Sequence, residues 1–135
     1  MDLTGRVALI TGAKRIGAVV AEALAARGMH VALSYARSEV EARSAAASVE
    51  RLGTRAAVFE ADLSHAPACH QLVESTVATL GRIDALVNMA SVYTNRPLSS
   101  LTVADWDGVL GVDLRAAFLW LERGILARPE VEINK

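Results

Sequence analysis

Cysteine is almost missing from this chain: Cys69 stands alone among 135 residues. No internal disulfide is possible, and a reducing cytoplasm is the expected setting. An excess of one charge sign is missing too. Fourteen Lys and Arg face fifteen Asp and Glu, for a formal net charge of −1. With no run of like charge, neither nucleic acid nor an anionic membrane surface is an expected partner. No apolar run approaches the ~18 residues a membrane span needs, and the opening MDLTGRV lacks the basic-then-apolar order of a signal peptide. Aromatic residues are only 4% of the chain. Trp106 and Trp120, nearly four helical turns apart, therefore read as packing residues rather than a stacking platform. His65 and His70 have no third ligand nearby and fall on different helix faces, so a solvated helix start is expected and no metal site. Cys69 reads as a small buried filler. What the chain does have is apolar side chain, 53% hydrophobic residues. Over this length that composition implies one domain, 1–135, with one core.

The apolar residues fall in a rhythm. Strands are expected at Val7–Ile10, Val31–Tyr35, Ala56–Phe59 and Ala85–Asn88. Between them lie amphipathic stretches of helical period, Arg15–Arg27, Glu39–Leu52 and Pro67–Leu80, followed by Gly28, Gly53 and Gly81 where a left-handed cap is needed. Ser38 with Glu41 and Thr102 with Asp105 have capping-box spacing, and Pro67 suits a first helical turn. Alanine clusters such as Ala45–Ala47 read as helix filler. A last helical region runs from Thr102 to Pro129, and Glu130–Lys135 begins a possible fifth strand. Strands alternating with helices imply βαβ crossovers. The fold class is α/β, a three-layer α/β/α arrangement around a parallel sheet of four or five strands.

The stretch VALITGAKRIG, Val7–Gly17, carries the chemistry. A β-branched strand breaks into a glycine loop and opens into a helix, whose first free N–H groups suit an anion. Alone this is a weak signal, because many α/β proteins use glycine simply to turn. Other residues fall where a dinucleotide needs them. The second strand ends in Tyr35-Ala36-Arg37-Ser38, where an acid binding the ribose hydroxyls of NAD would otherwise stand. Arg37 and Ser38 suit a 2′-phosphate instead. Asp62-Leu63 follows the third strand, and Asn88-Met89-Ala90 brings small residues and backbone amides to the carboxyl edge of the sheet.

Thr11–Gly17, Tyr35–Ser38, Asp62-Leu63, GRIDALVNMAS (81–91) and LTVADWDGVLGVDLRAAFL (101–119) together resemble the short-chain dehydrogenase/reductase family. Within it they are similar to its pteridine-reductase-like, NADPH-preferring members. The segments stand in order and span nearly the whole chain. The resemblance implies a Rossmann-type domain and NADP as cofactor. Thr11–Gly17 would form the diphosphate loop, with Gly12, Lys14, Arg15, Ile16 and Gly17 as its cofactor-binding residues, and Arg37 and Ser38 the 2′-phosphate contacts. Asp62 with Leu63 would meet the adenine, and Asn88 and Ala90 would lie beside the adenosine ribose. Homo-oligomerisation, or a complementing chain, is implied as well.

Three departures shape the functional expectation. The glycine loop is one residue shorter than the family's usual form. The asparagine that supports a proton relay in the family is Asp113 here, an acceptor-only group expected to act as a helix-surface charge. The family's catalytic Tyr-x-x-x-Lys is missing: Tyr35 is followed four residues on by Glu39, and Tyr93 by Pro97. No catalytic residue is therefore assigned. The first expectation is an NADP(H)-binding, N-terminal part of a reductase, truncated and inactive alone. The alternative is a structural or interaction domain that keeps the fold without the cofactor.

Overall fold

A computed structural model describes residues 2–126, with exposure given for residues 2–123. The strands are β1 (Val7–Thr11), β2 (His30–Tyr35), β3 (Ala56–Glu60) and β4 (Ala85–Asn88). The helices are α1 (Ile16–Ala25), α2 (Glu39–Arg51), α3 (Ala66–Leu80), α4 (Val103–Leu110) and α5 (Ala116–Leu126), with a π-helical turn at Gly111–Arg115 between the last two. Each expected strand and each of the first three helices is found within two residues of its expected bounds. Gly28, Gly53 and Gly81 all adopt the left-handed φ expected of them. The fifth-strand expectation at Glu130–Lys135, and the helix end at Pro129, lie outside the described residues.

All five residues of β1 are buried, as a central strand covered on both faces requires. The sheet is parallel with order β3-β2-β1-β4. The chain steps outward from β1 to β3 and then returns to set β4 on the other side of β1. That reversal is a topological switch point, and ligands of open parallel sheets bind at such a point, here the carboxyl ends of β1 and β4.

Two cores flank the sheet. Ala8, Ile10, Val31 and Leu33 pack against α1 and α2. Val7, Leu9 and Ala32 pack against Cys69, Leu72 and Val73 of α3 and against Val112, Ala116 and Trp120. Small side chains set the first layer. Ala42, Ala45 and Ala46 are buried against the strands, so two residues of the alanine cluster are core contacts rather than filler. Trp120 is 2% exposed but Trp106 is 66% exposed, because α4 buries no residue of its own. Trp106 is thus not a packing residue among the described contacts. The Thr102–Asp105 capping box forms. The one expected at Ser38 does not: its side chain makes no cap bond, and Glu41 pairs elsewhere. His65 lies exposed at the start of α3 as expected. His70 differs, being half-buried with its Nε2 unpartnered among the described residues.

Asp84 pins the start of β1 to the start of β4. Its carboxylate accepts from the Val7 amide at 2.9 Å, from Arg6 at 3.2 Å and from Arg82 at 2.6 and 2.8 Å. Burial pushes its pKa up, but the Arg82 bond, the Val7 amide and Arg6 outweigh it and hold the carboxyl below its ordinary value. A depressed folded-state pKa stabilises fully above the unfolded value and is lost as pH falls through the folded one. Asp84→Asn is expected to cost about 1 kcal/mol at neutral pH. Urea unfolding should show that deficit shrinking below about pH 4. A deficit independent of pH would contradict this.

Candidate functional site

The site is built where β1 stops. Thr11 Oγ1 donates to Asn88 Oδ1 at 3.0 Å and accepts the amides of Met89 and Ala90, each at 3.2 Å. One buried hydroxyl thereby clamps the carboxyl ends of β1 and β4 together. The amides of Met89 and Ala90, expected to face a ligand, are taken up by Thr11 instead. Gly12 follows with φ +79°, and a Cβ there would come within 2.9 Å of the Met89 and Ala90 backbone. Its amide and that of Ala13 both donate to the Ser34 carbonyl, which anchors the loop to β2.

The loop then turns into α1. A Cβ on Gly17 would overlap the Gly12 carbonyl oxygen, so the helix start lies directly against the loop. Between these glycines, the main-chain amides of Lys14, Arg15 and Ile16 make no hydrogen bond among the described residues. Three consecutive free donors at the N-terminus of a helix suit a phosphate. The loop carries backbone strain at one residue. Arg15 takes φ +53°, ψ −109°, a region that favours glycine, at a cost on the order of 1–3 kcal/mol.

Beside this loop, β2 ends in Arg37 and Ser38. Arg37 is exposed and its guanidinium has no partner among the described residues. Ser38, freed from capping, presents its hydroxyl. Lys14 does have a partner: its Nζ lies 3.3 Å from Glu41 Oε1 on the first turn of α2. After β3, Asp62 Oδ1 accepts from the Ser64 hydroxyl at 2.6 Å and its amide at 3.0 Å. Those bonds, with His65 nearby, hold its carboxyl below the ordinary value, so it stays an exposed ionised acceptor. Leu63 is different. Its side chain is buried in the core, leaving only its backbone to face a ligand, and its carbonyl receives the Cys69 thiol at 3.5 Å. Burial pushes that thiol's pKa up, in keeping with a filler.

Eight of the eleven expected residues thus lie with an exposed or partly exposed side chain or a free amide around one sheet edge; Gly12 and Gly17 serve through close backbone packing, their amides bonded to Ser34 and Lys14, and Leu63 turns inward. Asp113 is more than a surface charge. It accepts from Ser91 Oγ at 2.8 Å and from the Val92 amide at 3.1 Å, so the π-helical turn holds the loop after β4. Arg115 in that turn donates to the Ser64 carbonyl at 2.6 Å, tying in the loop after β3. A π turn inside a helix often marks a functional position. Sequence reasoning missed Thr11 as an organising residue, although a hydroxyl next to Gly12 at a strand end was a usable signal. It also missed Glu41 and Arg115, whose partners are distant in sequence. Among the described residues no group of three or more side chains could hold a metal, and no helix is long and apolar enough to cross a membrane.

The profile of the short chain dehydrogenases matches residues 6–126. The chain belongs to the short-chain dehydrogenase family. It is 38% identical over 118 residues to a 3-oxoacyl-[acyl-carrier-protein] reductase of Synechocystis, covering 87% of this chain and 48% of the relative. A short-chain dehydrogenase from Burkholderia cenocepacia, solved in complex with NADP, superposes with a TM-score of 0.87 at 35% identity, covering 92% of this chain and 51% of that one. A blue fluorescent protein from a metagenomic library, in complex with NADPH, gives a TM-score of 0.87 at 30% identity, covering 96% and 54%. This short-chain dehydrogenase chain therefore spans about half the length of the relatives it matches.

Proposed function

We propose that this chain binds NADP(H) as the dinucleotide-binding portion, residues 1–135, of a short-chain-dehydrogenase-type reductase. The observation that carries the reading is the free amide row of Lys14, Arg15 and Ile16 beside the unpartnered Arg37. The row would take the diphosphate, and Arg37 with Ser38 the 2′-phosphate. The donor set fits the group: three free amides and an unpartnered guanidinium suit phosphate oxygens, and Gly12 and Gly17 let the loop, the start of α1 and the end of β4 pack closely enough to hold them. Asp62 would accept the adenine amine, with the Leu63 backbone beside it, and Asn88 and Ala90 would border the ribose. Bound NADPH supplies a hydride; this chain's own residues bind and orient it. The NADPH-preferring, pteridine-reductase-like reading rests on Arg37 and Ser38. The relatives' names span different substrates, so no substrate is carried over from them. The buried lone thiol of Cys69 fits a cytoplasmic setting.

The strain at Arg15 favours a second reading, a domain that keeps the fold and has lost the cofactor. Arg37→Ala separates the two. A guanidinium–phosphate contact is worth about 1.5–3 kcal/mol, so NADPH should bind about tenfold or more weakly while NADH is unaffected. Equal loss for both would overturn the 2′-phosphate assignment, and no binding by the parent chain would favour the second reading.

We further propose that the chain pairs with a second copy or a complementing polypeptide. Among the described residues β4 is a half-buried sheet edge, which invites pairing. Leu114, Phe118 and Leu121 are more than half exposed and form an apolar face on the last helical segment. Light scattering after size exclusion should give a mass above the monomer at micromolar concentration. A clean monomer would defeat the self-pairing arm.

A further inference from the structure

The Lys14–Glu41 ion pair joins two elements on either side of the 2′-phosphate position. Lys14 belongs to the β1–α1 loop, and Glu41 lies on the first turn of α2, three residues beyond Ser38. Both side chains are about half exposed, so the pair is easily exchanged for another partner. Arg37 and Ser38, at the base of the same turn, have none. A phosphate monoester carries about −1.5 to −2 charge at neutral pH. Placed between Arg37 and the loop, it would attract Lys14 and be repelled by Glu41. The carboxyl of Glu41 is held below its ordinary value by its own main-chain amide and by Lys14, so it is ionised when the ligand arrives.

Resting on the NADP(H) reading above, we propose that Glu41 is a specificity-determining residue: its carboxylate engages Lys14 in competition with the 2′-phosphate and so limits the preference for NADPH over NADH. The local rule of capping explains why this role is hidden in the sequence. Glu41 has capping-box spacing from Ser38, yet Ser38 does not cap, and the carboxylate serves Lys14 instead. NADH has no 2′-phosphate, so it neither needs Lys14 at that place nor meets repulsion there.

Calorimetric titration of the full chain and of Glu41→Gln with NADPH and NADH tests this. Freed Lys14 and one fewer negative charge should tighten NADPH by roughly threefold to tenfold, and the gain should shrink as salt screens it. NADH should change by less than about twofold, since only a screened exposed charge is altered. Glu39→Gln is the control: it removes the same charge from the same turn, where Glu39 is paired with Arg43 at 2.8 Å, and leaves Lys14–Glu41 intact. It should leave both affinities unchanged. A gain shared equally by NADH places Lys14 on the diphosphate and overturns the proposal. An equal gain from Glu39→Gln reduces the effect to net charge and also overturns it. Should the parent chain prefer NADPH while Glu41→Gln changes nothing, the specificity role alone fails. Should neither protein bind either nucleotide, the NADP(H) reading fails and takes the role with it.

Discussion

Gly17→Ala is expected to damage both stability and cofactor binding. The added Cβ would overlap the Gly12 carbonyl oxygen and come within 3.0 Å of its carbonyl carbon. Both are backbone atoms of a loop already anchored to Ser34 and packed on Met89 and Ala90, so nothing flexible can yield. Overpacking of this kind costs about 3 kcal/mol or more, and alanine returns about 1 through helix propensity. A net loss of about 2 kcal/mol should lower Tm by roughly 5–10 °C for a chain of this size. Shifting the loop also misaligns the amides of Lys14, Arg15 and Ile16, and losing one such bond, about 1.4 kcal/mol, is already tenfold in NADPH affinity. Gly108→Ala supplies the contrast. Gly108 is exposed within α4 with nothing within 4 Å of a built Cβ, so alanine there should stabilise by about 0.5–1 kcal/mol. Thermal melts that rank the two substitutions alike would contradict this account of the loop.

The purified 135-residue chain is expected to reduce carbonyl substrates only at background. Neither tyrosine is followed by lysine at the family's spacing. Tyr35 is also unsuited by environment: burial and the charges of Glu39 and Glu60 push its pKa up. A tyrosine acting as general acid near neutral pH needs the opposite shift. Tyr93 is exposed on the loop after β4 and has no described partner. General acid catalysis typically contributes about 10²–10⁴-fold, so its absence should hide turnover in a spectrophotometric assay of NADPH oxidation with ketones, quinones and pterins. Robust turnover by the chain alone would show that another group supplies the proton.

The fold was legible because its signals are local and repeated. The run Val7–Ile10 reads as a strand buried on both faces, and Gly28, Gly53 and Gly81 mark helix ends; none of these needs a distant partner. The site was legible in its outline for the same reason, since the glycine loop and the residues after each strand must meet at one sheet edge. What remained hidden depends on distant partners. Which amides of the site stay free was misread because Thr11 reaches across to Met89 and Ala90. Glu41 satisfies a local capping rule, yet Lys14 from another loop takes its carboxylate. Trp106 and Trp120 look alike in sequence, but only Trp120 is on a face that α3 and the sheet cover. The π-helical turn at Gly111–Arg115 is invisible to a 3.6-residue period, and with it the link from Asp113 to Ser91.

The central claim is that the free amides of the short loop and the unpartnered Arg37 form an NADP(H) site. It is tested most directly by calorimetric titration of the unaltered chain with NADPH and with NADH under one salt condition. Saturable binding is predicted, with NADPH tighter by about tenfold or more. Equal affinities, tighter NADH, or no heat from either nucleotide would contradict it.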